Sequence, residues 1–123
     1  MDEETYDPLY LKGIEYFNTC DFFESHEAWE EIWLLTDGVQ SEFLQGLIQS
    51  AAALLKYQRN ELAPALRLYN TAKARLDLCP DDYMGLNVRA FQSAMAVCFA
   101  SVIDGRNLPI DPAIIPTILV ARN

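Results

Sequence analysis

The chain is short of the residues that would make its chemistry easy to place. It holds a single histidine, His26, among 123 residues, so a zinc centre built in the usual way from several imidazoles cannot form within one copy. Its three cysteines, Cys20, Cys79 and Cys98, are odd in number and show no C-x-x-C spacing, which argues against a disulfide framework, a zinc knuckle or a thioredoxin-like redox pair. They read as free thiols of the core. Basic residues are scarce too, nine against eighteen acidic ones, for a net charge of −9. The average surface potential repels phosphate backbones and anionic headgroups, so neither nucleic acid nor a membrane surface is an expected partner. The most apolar run, Ala90 to Ile103, is interrupted by Gln92, Ser93 and Ser101 and falls short of the ~20 residues that span a bilayer. The start, Met1-Asp-Glu-Glu-Thr5, has neither the basic nor the apolar region of a secretory signal, and a cytoplasmic location is expected.

What is present is ordinary globular usage: 51% apolar and 22% charged residues are enough to build a core without staples. Residues 1–123 are read as a single all-α domain, a bundle of about five helices with an extended, proline-containing C-terminal tail. Asp7-Pro8 opens the first helix, to Thr19. Asp21 and Glu24 have capping-box spacing for a second, to about Leu35, and Asp37 and Gln40 have it for a third, Val39 to Arg59. Asn60 closes the third helix and is read as capping a fourth, Glu61 to Leu78, whose stripe is Leu62, Ala65, Leu66, Tyr69, Ala72 and Leu76. A fifth, Asn87 to Asp104, is apolar on most sides and is expected to be the central core helix. Pro109, Pro112 and Pro116 keep the tail extended along the bundle. No strand pattern is seen.

The second helix carries the distinctive residues. On a wheel of about 100° per residue, Trp29, Trp33, His26 and Glu30 fall at about 340°, 20°, 40° and 80° from Phe22, whereas Glu24, Glu27 and Glu31 lie opposite as an expected solvated face. His26 and Glu30 are one turn apart, within reach of each other. In the third helix Gln45, Gln49, Ala52 and Lys56 form a stripe that either completes a polar pocket or faces water. The small arc Gly46, Ser50 and Ala53 is where the second helix is expected to cross.

The spacing of His26, Glu30 and Trp33 reads H-x-x-x-E-x-x-W. With its setting F-F-E-S-H-E-A-W-E-E-I-W, and with F-L-Q-G-L-I-Q-S-A-A-A-L from Phe43 to Leu54, it resembles the signature of domain-of-unknown-function family 309. Tyr16-Phe17 and the Ala65 to Leu76 segment fit the same pattern, so the resemblance covers roughly Tyr16 to Val88. It implies an all-helical fold of unknown function and a metal-binding role for the motif.

Two functional readings follow. In the first, His26 and Glu30 bind a divalent metal or a small ligand or act as an acid-base pair, with Trp29, Trp33, Gln45 and Gln49 as further ligand-binding candidates. No second histidine follows in H-E-x-x-H fashion, so further ligands come from other carboxylates or from the second copy in a homodimer. In the second reading His26 and Glu30 are a buried structural pair that fixes tryptophan packing, in a non-catalytic helical protein-interaction module. Ala65, Tyr69 and Ala72 imitate one tetratricopeptide helix, without the repeats a solenoid needs. Whether the chain is an enzyme is left open.

Overall fold

The structure, a computed structural model, describes residues 6–121. It is all-α apart from one short hairpin. Helices α1 (Pro8–Asn18), α2 (Phe22–Trp33), α3 (Gly38–Gln58), α4 (Leu62–Leu76) and α5 (Val88–Ile103) follow in order, with strands β1 (Asp82–Tyr83) and β2 (Leu86–Asn87) between α4 and α5. All five expected helices are present, within two residues at most ends.

Their ends follow local chemistry. The Asp7 carboxylate accepts the Leu9 N–H at 2.8 Å and Pro8 occupies the first helical position, where no N–H is needed. Helices α1, α3 and α5 end on Cys20, Asn60 and Gly105, all at positive φ. Each is followed by a paired closure, as in Asp21 N–H to Tyr16 O at 2.8 Å and Glu61 N–H to Lys56 O at 2.9 Å, which satisfies carbonyls left free at a helix end. Two expected caps are absent. Neither Asp21 nor Asp37 makes a side-chain cap bond, and Asp21 instead accepts from the Thr19 hydroxyl at 2.8 Å. Asn60 does not cap α4 either: it is spent in the left-handed position that ends α3, and Glu61 takes the capping place.

The most buried helix is α3, not α5. Phe43, Leu44, Leu47, Ala51, Ala53 and Leu54 are wholly enclosed, with α2 on one side and α4 on the other. The outward residues of α5, among them Val97 and Ala100, are exposed. Small apolar side chains are cheap to leave in water, so apolar content alone overstated the burial of α5. A second correction concerns Gly46. A Cβ there would lie 2.6 Å from Leu76 Cδ2, so the small arc of α3 receives α4 and not α2. The tetratricopeptide-like letters have the same origin: Ala65, Tyr69 and Ala72 are core residues, and the Tyr69 ring stacks on Phe99 at 4.7 Å.

The hairpin is a departure from the strand-free reading. Its strands are two residues each, too short to show alternation, and Met84 and Gly85 both have positive φ, as a two-residue turn of primed type requires. The tail is extended, as expected, except for one 3-10 turn at Pro112–Ile114, and its docking, which the sequence left open, is fixed here. Ala121 N–H bonds to Gly85 O at 2.7 Å, and Asn18 of α1 grips Ile118 twice, donating to its carbonyl at 2.8 Å and accepting its N–H at 2.7 Å. Ile118 is buried.

Removing that grip loosens the tail. Asn18→Ala is expected to lower unfolding free energy in urea by about 1 kcal/mol and to speed proteolysis beyond Gly105 while cleavage within α1 to α4 is unchanged.

Candidate functional site

Helix α2 is pinned on one side by polar anchors as well as by apolar packing. The buried Ser25 hydroxyl donates to Gly13 O at 2.9 Å, and the Trp29 indole N–H donates to Tyr10 O at 3.0 Å. Near its other end the Trp33 indole donates to the Ser41 hydroxyl at 3.0 Å, tying α2 to the first turn of α3. Phe22, Ala28 and Ile32 complete the buried face. This setting turns His26, Glu27 and Glu30 toward the rim.

There the three side chains meet. His26 Nδ1 lies 3.5 Å from Glu27 Oε2, and His26 Nε2 lies 3.9 Å from Glu30 Oε2. One donor atom from each residue falls within 4.8 Å of the others. The side chains are 28%, 56% and 45% exposed in that order, so the pair is not the buried core pair of the structural reading. At 3.9 Å the His26–Glu30 contact also exceeds hydrogen-bond length. His26 Nδ1 is itself enclosed and has no hydrogen-bond partner.

Glu24, Glu27 and Glu31 are exposed, as the helical wheel has them, and with Lys12 and Tyr16 they border a shallow groove between α1 and α2 of about 260 Å³. What the wheel does not give is the reach of the Glu27 carboxylate to its neighbour His26. The other candidates separate from the cluster. Trp29 is fully buried with its N–H spent on Tyr10, and Trp33 is half-buried with its N–H spent on Ser41. Gln45 and Gln49 are half-buried on α3. Among the described residues no hydrogen bond or ion pair joins either to His26, and Gln49 Oε1 is enclosed without a donor.

The arrangement therefore offers one imidazole and two carboxylates on successive turns of one helix, at the surface, on a helix anchored by the buried Trp29 and the half-buried Trp33. The model of the domain of unknown function DUF309 matches residues 10–68, from α1 into α4, and includes the whole H-x-x-x-E-x-x-W motif. The chain belongs to this family. An uncharacterized protein of Aquifex aeolicus (strain VF5) is 31% identical over 80 residues, 63% of this chain and 24% of that protein. The chain thus spans less than a quarter of that relative's length. The crystal structure of a conserved hypothetical protein from Thermus thermophilus is similar at 32% identity and a TM-score of 0.64, over 75% of this chain and 96% of that one. The DUF309 match ends at residue 68, short of the Val88 to which the sequence resemblance reached, so α5, the hairpin and the tail lie outside it.

The cysteines stand apart from the motif. Cys79 and Cys98 are buried and Cys20 is half-buried. Burial pushes the Cys98 thiol up to about 12, with the Asp111 carboxylate adding to the effect, and burial raises Cys79 as well. At about pH 8 a thiol-reactive dye is expected to label no more than one cysteine, Cys20, in the native protein and all three in guanidinium. Rapid native labelling of Cys98 would contradict this.

The packing beneath α2 and the residues on its rim should also part in stability. Gly13→Ala forces a Cβ to within 2.2 Å of Trp29 Nε1 and is expected to cost roughly 1–3 kcal/mol through displaced packing. His26→Ala, at the surface, should cost under about 1 kcal/mol by urea titration.

Proposed function

We propose that His26, Glu27 and Glu30 bind a divalent cation, with Glu30 as the principal carboxylate partner of the imidazole. The observation that carries this reading is the convergence of one donor atom from each of the three within 4.8 Å. Cations of the zinc, manganese or iron(II) class sit about 2.0–2.2 Å from nitrogen and oxygen donors, so two donors of one ion lie up to roughly 4.2 Å apart. The 3.9 Å separation of His26 Nε2 and Glu30 Oε2 fits that span, and the exposed Glu27 closes the rest by a rotamer change.

A mixed nitrogen and oxygen set suits these ions better than calcium, which prefers oxygen alone. The bundle has its own apolar core, so the cation is a ligand of the folded chain and not its staple. When bound, such an ion supplies Lewis acidity and lowers the pKa of a coordinated water. The chain's part is to hold the imidazole and two carboxylates at the rim, with the tryptophans fixing the rotation of α2. No reaction is assigned. The same reading treats residues 1–123 as one cytoplasmic helical domain whose net charge of −9 disfavours nucleic acid.

Protein purified without a histidine tag should bind Zn²⁺ or Mn²⁺ in calorimetry and melt higher when the ion is present. At a hundredfold excess over Kd the added stability is about 2.7 kcal/mol. His26→Ala should abolish both effects and Glu30→Gln should weaken binding by roughly tenfold or more. Equal binding by wild type and His26→Ala would sink the proposal, as would the absence of binding.

A further inference from the structure

His26, Glu27 and Glu30 do not lie on bare polar surface. Phe23 and Leu34, 53% and 70% exposed, flank them on the same side of α2. At about 100° per residue Phe23, Glu27, Glu30 and Leu34 fall within about 60° of one another. This stripe reads the same in both directions: apolar, acidic, acidic, apolar. Glu27 and Glu30 are also placed symmetrically about the midpoint between Phe23 and Leu34. Two such helices packed antiparallel about a two-fold axis through that midpoint set Phe23 against Leu34 of the second copy, and Glu27 against its Glu30.

The donor set is incomplete in the complementary way. One chain brings three donors, whereas zinc takes about four and manganese or iron about six. Among the described residues no further histidine, cysteine or carboxylate joins the group. Two copies together bring four carboxylates and two imidazoles, the donor inventory that holds a pair of metal ions in carboxylate helical bundles.

We infer that divalent cations join two copies of this chain through the outer stripe of α2, with His26, Glu27 and Glu30 of both copies around them and Phe23 packed on Leu34 at each end. This rests on the cation-binding reading above. The association depends on the ion for two reasons. Without it, facing carboxylates on chains of net charge −9 repel each other. The apolar contact is also too small to act alone: the stripe from Phe23 to Leu34 is about 16 Å long, against the ~800 Å² per partner of a standard interface.

Light scattering on untagged protein tests this. With Zn²⁺ or Mn²⁺ the mass should double from 14.0 kDa, and EDTA should restore the monomer. Leu34→Glu and Phe23→Glu alter exposed positions and should keep the native circular dichroism. Both should remain monomeric with the ion present and bind it at least about tenfold more weakly. Cation binding by wild type without a change in mass would overturn the inference while leaving the cation site standing. A dimer of equal strength in EDTA, or one that Leu34→Glu leaves intact, would overturn it as well. Failure of wild type to bind either ion would remove the cation site itself.

Discussion

The setting of Trp29 against Gly13 governs what the rest of the molecule presents. The indole is fully buried, its N–H is held by Tyr10 O at 3.0 Å, and three of its ring atoms lie within 2.7 Å of where any Cβ at position 13 would stand. Only glycine lets α1 and α2 come this close. Ser25 bonds to the carbonyl of the same glycine, so two neighbouring turns of α2 are registered on one point of α1. Phe17 extends the contact, with ring centroids 6.0 Å from Trp29 and 5.8 Å from Phe91, and couples both helices to α5. A rotation of α2 by one residue would break all of these at once, which is why His26, Glu27 and Glu30 have a fixed direction although they are themselves half in water.

Much of this was legible in the chain. Helix number and order followed from caps, breaks and apolar spacing, because those are properties of a few adjacent residues. The motif H-x-x-x-E-x-x-W was equally plain. What did not follow from local pattern is which neighbour each face meets. Gly46 was paired with the wrong helix because a small arc says that something packs closely and not what. The centre of the bundle was assigned to α5 because an alanine-rich helix reads as apolar whether or not it is covered. Ser25 escaped notice because it is a polar residue whose burial is redeemed by a carbonyl twelve positions away. Glu27 was rightly read as exposed, and only its contact with His26 lay beyond the pattern.

The α1–α2 hairpin thus has a packed side and a polar rim. The tryptophans and the small residues Gly13 and Ser25 belong to the packing, and they set the angle at which the polar residues emerge. His26, Glu27 and Glu30 add little to the core, since none is deeply enclosed. Buried and rim residues look uniform in the sequence, and the structure separates them by exposure.

The tail has a consequence for how the molecule comes together in time. The α1–α2 and α3–α4 hairpins are built from contacts between near neighbours and close quickly. Asn18 and Ile118 are separated by 100 positions, and the Asn18 side chain finds both partners only after α1, the Met84-Gly85 turn and the outer side of α5 are in place. The strap is therefore the last piece to lock and the first to let go. Its release opens the grooves of about 260 and 360 Å³ that it forms with α5. The molecule is thus a helical body of local contacts fastened by one long-range latch.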